Sequence, residues 1–208
     1  MIMNNAAIVN YGTIKSYDEL ENAFCIHSAY KQTFSIISKD NSKPGEVVYL
    51  SKSEEKAYCF DSIIQKLSKK RGGHPFCSVD AVSFCDGYVN FIEFKNSKLD
   101  DKVKYNLYAK IAHSYRYFEK IVLNSQYFDK LGIRTRFILV YNPQKLKNGP
   151  DSYQKINSGI NSWAKKASPI DEKLKVVKDD CKWLQFFDDI QFKSVEEFDR
   201  NASSYGMK

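Results

Sequence analysis

Hydrolysis of a phosphodiester requires a hard divalent cation, and such a cation is held by carboxylate oxygens while keeping several of its waters. The ion polarises the phosphoryl oxygen and lowers the pKa of an attacking water. A nearby ammonium orients that water or meets the developing charge. The stretch Asp80-x12-Glu93-Phe94-Lys95 offers this set of groups. Asp80 stands early in one apolar run and Glu93 late in the next. Side chains alternate along a strand, so Lys95 projects from the same face as Glu93.

The two runs, Ser78–Phe84 and Tyr88–Lys95, are joined by Cys85-Asp86-Gly87, whose Asp-Gly is a strong tight-turn signal. An antiparallel hairpin is therefore predicted, with Asp80 and Glu93 converging at one end. Context selects this site, because the tripeptide [D/E]-x-K alone begins at Glu54, Glu93, Asp100, Asp171 and Asp180. Only Glu93-Phe94-Lys95 ends an apolar strand whose partner opens with an aspartate. Asp40 and Glu54-Glu55-Lys56 have similar spacing, but Asp40 falls in a turn-rich stretch and Glu54 begins a predicted helix. The bland alternative is a surface aspartate on a strand edge with a solvated Glu93–Lys95 pair, which stabilises little.

The elements around the hairpin follow from periodicity. Ser53 to Lys70 reads as a helix capped by Ser53, with Ala57, Phe60, Ile64 and Leu67 as its buried stripe and Gly72-Gly73 as its stop. Asp100 to about Ser125 reads as a long helix with Val103, Leu107, Ile111, Ser114, Phe118 and Val122 inward, and Thr135–Tyr141 as a buried strand. Upstream, a short helix is predicted around Tyr17–Phe24, with strands at Thr33–Ser38 and Val47–Leu50 separated by the turn-rich Lys39–Gly45. Beyond Pro143 the pattern predicts a polar helix around Gln154–Lys166, a strand around Trp183–Phe187 and a closing helix at Ser194–Asn201. The order helix, strand, strand, long helix, strand predicts an α/β fold, a mixed sheet flanked by helices.

Composition agrees with one domain over residues 1–208, since 43 % of residues are apolar and 14 % aromatic. No apolar run approaches the roughly 20 residues of a membrane span. The first residues, Met-Ile-Met-Asn-Asn-Ala-Ala, lack the layout of a secretory leader, so a cytoplasmic protein is expected. Five scattered cysteines without a C-x-x-C pair are expected to be reduced thiols. The net charge of +7 and pI of about 9.0 favour anionic partners, nucleic acid foremost. Between Ser62 and Val79 lie Lys66, Lys69, Lys70 and Arg71 with no acidic residue, and from Lys95 to Lys120 seven basic residues face three acidic ones.

Ser78-Val79-Asp80-Ala81-Val82 followed by Phe91-Ile92-Glu93-Phe94-Lys95-Asn96 resembles the core of the PD-(D/E)XK nuclease superfamily. The helix–hairpin–helix–strand order resembles its restriction-endonuclease-like αβββαβ core over about Ser53 to Tyr141, with 1–52 and 142–208 as elaborations. The resemblance implies Mg²⁺, or Mn²⁺ in its place, held by Asp80, Glu93 and the Phe94 carbonyl, with Lys95 at the attacking water. It also implies a glutamate on the preceding helix, for which Glu54 is the first choice and Asp61 the reserve. Lys104-Tyr105-Asn106-Leu107-Tyr108-Ala109 resembles the Q-x-x-x-Y helix motif of the superfamily's helicase-associated exonuclease branch: Tyr108 matches, and Lys104 replaces the glutamine. Val79 stands where the family name has proline, and the literal Pro150-Asp151 sits in a Gly-Pro loop.

The implied activity is metal-dependent phosphodiester hydrolysis, on DNA ahead of RNA, with substrate along the basic helix edges Lys66–Arg71 and Lys98–Lys110. A homodimer or an accessory protein partner is left open. The alternative is a catalytically inactive module of the same fold that binds nucleic acid or a protein partner; retention of Asp80, Glu93 and Lys95 weighs against it.

Overall fold

The computed structural model describes residues 14–43, 45–70, 77–97, 101–122, 128–147 and 169–207. Helix α1 (Tyr17–Phe24) leads to strand β1 (Lys31–Thr33), the one-turn helix α2 (Phe34–Ile37) and a ribbon of β2 (Lys39–Lys43) and β3 (Glu46–Tyr49). Then come β4 (Lys56–Cys59), α3 (Phe60–Lys70), β5 (Ala81–Cys85), β6 (Tyr88–Lys95), α4 (Asp101–Tyr117) and β7 (Arg134–Tyr141). The described chain closes with α5 (Pro143–Lys147), α6 (Pro169–Trp183), β8 (Asp189–Ser194) and α7 (Val195–Arg200).

Six strands make one mixed sheet in the order β1-β4-β5-β6-β7-β8. Pairing is antiparallel from β1 to β6 and parallel from β6 to β8. The predicted hairpin is β5–β6. Asp86 and Gly87 both take positive φ, 52° and 73°, as a two-residue loop with the twist of its flanking strands requires.

Helices cover both faces of the sheet. On one face Tyr58, Val82, Phe84, Val89, Phe91, Phe137 and Leu139 pack with Phe24 of α1, Ile64 of α3, Leu107 and Ile111 of α4 and Val177 of α6. On the other, Ala81, Ile92, Phe94, Ile138 and Val140 meet Phe34 of α2, Phe198 of α7 and Tyr205. Covering on both sides explains why β6 and β7 read as nearly continuous apolar runs. The C-terminal segment lies along β4, with the Met207 N–H donating to the Lys56 carbonyl at 2.8 Å. Gly206 there admits no side chain, since a Cβ would stand 2.6 Å from that of Glu55.

Several predicted elements shift. The helix expected from Ser53 begins at Phe60, and Lys56–Cys59 is a strand. Ala57 and Tyr58 are buried in opposite cores, an alternation that a strand provides and a helix does not. The helix expected ahead of the first core strand thus falls between β4 and β5, and the order across Lys56–Tyr141 is β-α-β-β-α-β. The strand expected over Thr33–Ser38 stops at Thr33, whose hydroxyl accepts the Ile36 N–H and starts α2. Lys39–Gly45 is largely strand, because β2 pairs with β3. Trp183 ends a helix, and the last strand is β8 rather than Trp183–Phe187. The closing helix is as expected, fixed by a capping box between Ser194 and Glu197. The polar helix expected at Gln154–Lys166 lies outside the described residues. All five cysteines are free. No helix among the described residues is long and apolar enough to cross a membrane.

Candidate active site

The β5–β6 ladder ends at the pair Ala81–Ile92. One step further in the same register, Asp80 stands opposite Glu93. The Asp80 side chain replaces the missing ladder partner: the Phe94 N–H donates to Asp80 Oδ2 at 2.7 Å. Its backbone is tied to the start of α3, where the Phe60 N–H donates to the Asp80 carbonyl at 3.0 Å. The preceding Val79 N–H donates to Ser114 Oγ of α4 at 2.8 Å. Sheet, α3 and α4 therefore all fix this aspartate.

Glu93 is on the face of β6 that α4 covers, and its side chain is 1 % exposed. A carboxylate so deep in a core must be paired. Lys95 Nζ lies 2.8 Å from Glu93 Oε1. Lys110 Nζ, on α4, donates to Glu93 Oε1 at 2.9 Å and Oε2 at 3.0 Å and reaches Asp80 Oδ1 at 3.4 Å. Two carboxylates and two ammonium groups form a closed cluster of zero formal charge.

Burial, and after it the charge of Glu93, push the Asp80 carboxyl up to about 7, against the pull of Lys110, the Phe94 N–H and Lys95. Burial works against the Lys110 ammonium, yet Glu93 and Asp80 hold its pKa above the ordinary lysine value. The Asp80 shift has a sign that can be checked. Its proton is held more tightly folded than unfolded, so stability from this group is full below the unfolded value of about 4 and is lost as pH rises to about 7. The stability of the native protein relative to Asp80→Asn, measured by urea unfolding, is expected to fall between about pH 4 and pH 7 and to level off above. A difference that stays flat across that range removes the shift.

Lys110 is the residue that sequence reasoning missed. It figured there only as the far end of a basic helix edge. The signal was present: Lys110 lies three residues after Leu107 and four before Ser114, both fully buried, and that spacing places it on the inward side of α4. A lysine on such a stripe needs an anionic partner beneath it.

The other expected site residues are dispersed. Glu54 is not on a helix. It is exposed, ahead of β4, and its Oε1 accepts from Ser35 Oγ at 3.2 Å. It lines a separate pocket with Glu55, Asp199, Arg200 and Ser203. Asp61 is the acid in the first turn of α3. Its two oxygens accept from Ser78 Oγ at 2.9 Å and Gln65 Nε2 at 2.6 Å. Among the described residues no three His, Cys, Asp or Glu side chains cluster as a metal site.

Lys69 is exposed on α3. Lys70 ends that helix with its side chain outside the description, and Arg71 lies outside the described residues. Lys104 is half-buried on α4. Tyr108 donates its hydroxyl to Asp180 of α6 at 2.5 Å, a tie between two helices. A cleft of about 280 Å³ opens beside the cluster, lined by Asp80, Lys95, Asn96 and Ser97 on one side and Lys39 and Asp40 of the β2–β3 ribbon on the other.

The chain matches no protein-family model, no curated protein and no solved structure.

Proposed function

We propose that this protein is a metal-dependent nuclease of the PD-(D/E)XK type, hydrolysing phosphodiester bonds of nucleic acid, DNA first. One observation carries the reading: Asp80, Glu93 and Lys95 meet at one end of a hairpin, and the two carboxylates are close enough to share a single ammonium. The antiparallel strands β4, β5 and β6, followed through α4 by a parallel β7, support a restriction-endonuclease-like core, with α3 inserted after its first strand.

The donor set fits a hard dication. Mg²⁺ binds through one or two carboxylates and fills its remaining positions with water and substrate phosphate, so Asp80 and Glu93 suffice. The Phe94 carbonyl projects from the same strand edge as the N–H that Asp80 accepts, and is the third oxygen of the proposed site. When bound, Mg²⁺ or Mn²⁺ would supply Lewis acidity and an acidified water. Lys95, held against Glu93 at the rim of the cleft, orients that water. The basic helix edges, Lys69 among them, attract the phosphate backbone, and Lys39 adds a cation on the far wall of the cleft.

A second reading has an observation of its own. Lys110 closes the cluster as a neutral salt-bridge network, the state in which an inactive module of this fold would persist. Cleavage separates the two. Purified protein is expected to cut plasmid or single-stranded DNA with Mg²⁺ or Mn²⁺ and not with EDTA, and Lys95→Ala is expected to lower the rate by about 10²-fold. Binding of DNA or RNA without cleavage under every metal condition would favour the inactive module.

A further inference from the structure

We propose that Lys110 occupies the cation seat of the site, so that its ammonium and a divalent ion exclude one another. The inference rests on the metal-binding reading above and concerns what the chain does before the metal arrives.

The hydrogen bonds of the cluster identify the seat. Asp80 Oδ2 is engaged by the Phe94 N–H, and Glu93 Oε1 by Lys95 as well as Lys110. The two remaining oxygens, Asp80 Oδ1 and Glu93 Oε2, bond Lys110 alone among the contacts described. These are one oxygen from each carboxylate, the pair a bridging cation takes. Lys110 Nζ lies at hydrogen-bond range of both, at 3.4 and 3.0 Å.

Charge leads to the same result. With both carboxylates ionised, as a metal ion requires, the two ammonium groups already neutralise them, and a dication added beside them would bring a net +2 into a largely buried site. Lys110 can leave. Its side chain is 22 % exposed, and a four-carbon stem lets the ammonium reach water while its methylenes stay packed. Once withdrawn, its ammonium is released to meet an incoming phosphate. In the metal-free protein the same group prevents Asp80 and Glu93 from facing each other uncompensated.

The test uses the full chain and Mn²⁺ alone, with binding followed by calorimetry and by the resonance signal of free Mn²⁺. Lys110→Met is expected to bind Mn²⁺ about tenfold or more tightly than wild type, because a like charge a few ångströms from the ion is gone. Lys95→Met is expected to gain much less, since Lys110 stays on its two oxygens. Without metal, Lys110→Met should melt below wild type, and Mn²⁺ should raise its melting temperature by more. If Lys110→Met does not fold, Lys110→Gln is read the same way, its amide donating to Glu93 without charge.

Equal Mn²⁺ affinity in wild type and Lys110→Met overturns the shared seat, and so does an equal gain in the two methionine variants. Equal affinity together with metal-dependent cleavage leaves the nuclease reading standing. Tighter Mn²⁺ binding by Lys110→Met with no cleavage by any variant supports the seat and removes the nuclease reading.

Discussion

Exchanging Glu93 for glutamine is expected to lower metal-dependent cleavage by about 10³-fold while leaving the protein folded. The substitution keeps the shape of the side chain and removes one anion at the centre of the cluster. Glutamine offers one acceptor oxygen where glutamate offers two, and its amide nitrogen is a donor set against the donors of Lys95 and Lys110. The site then has a single carboxylate for a dication and two ammonium groups repelling it.

The fold tolerates the change for a reason visible in the exposures. Lys95 and Lys110 are 17 % and 22 % exposed, so both heads can turn to solvent, and the loss of stability should stay at about 1–3 kcal/mol. Burial still raises the Asp80 carboxyl, but with the Glu93 charge gone it should titrate at lower pH. Initial rates on plasmid and single-stranded DNA, taken beside thermal unfolding, check this. A Glu93→Gln protein that cuts at the wild-type rate would sink the proposed site.

The part of this site carried by one hairpin was legible in the sequence. Strand alternation puts Glu93 and Lys95 on one face, and a two-residue turn fixes the register that sets Asp80 opposite Glu93. Both are local properties, readable without knowing the sheet. Lys110 was hidden because its meaning is tertiary: a lysine in a basic helix looks solvated until the helix is laid over two carboxylates. Glu54 failed for a related reason. Ala57, Phe60, Ile64 and Leu67 have helical spacing, but the spacing straddles a junction, with Ala57 in a strand and the other three in α3. Pairing of β4 with β1 and β5 outweighed the helical pattern and moved Glu54 off the helix.

The C-terminal half shows the same limit. The stripe Leu174, Val177 and Cys181 is buried but sits among charged residues, while Trp-Leu-Gln-Phe-Phe imitates a strand. Gln185 in that run takes a positive φ of 52°, which turns the chain between α6 and β8. In β8 only Ile190 is buried, so the strand is defined by its partner β7 more than by its own residues.

Phe118→Ala is expected to cost the most stability of any single truncation discussed, about 3–5 kcal/mol. Phe118 begins a π-helical turn that continues α4 and is fully buried. Its ring centroid lies 5.5 Å from Phe24, 5.3 Å from Phe91 and 5.5 Å from Phe128, with Phe60 and Phe84 also in ring contact. Five aromatic neighbours from α1, α3, both hairpin strands and the segment before β7 converge on this one side chain. Rigid rings cannot collapse to fill the space it leaves, so the cavity penalty adds to the lost transfer energy. Tyr105→Ala, on the same helix but 73 % exposed, should change stability by no more than about 0.5 kcal/mol. Urea unfolding of the two variants beside wild type measures the contrast. Phe118 takes part in none of the hydrogen bonds or ion pairs described for Asp80 and Glu93, so well below its melting temperature the folded Phe118→Ala protein should still bind Mn²⁺ as wild type does. A small loss of stability in Phe118→Ala would show that the aromatic cluster does not join α4 to the hairpin, and the placement of Lys110 over Glu93 would lose its support.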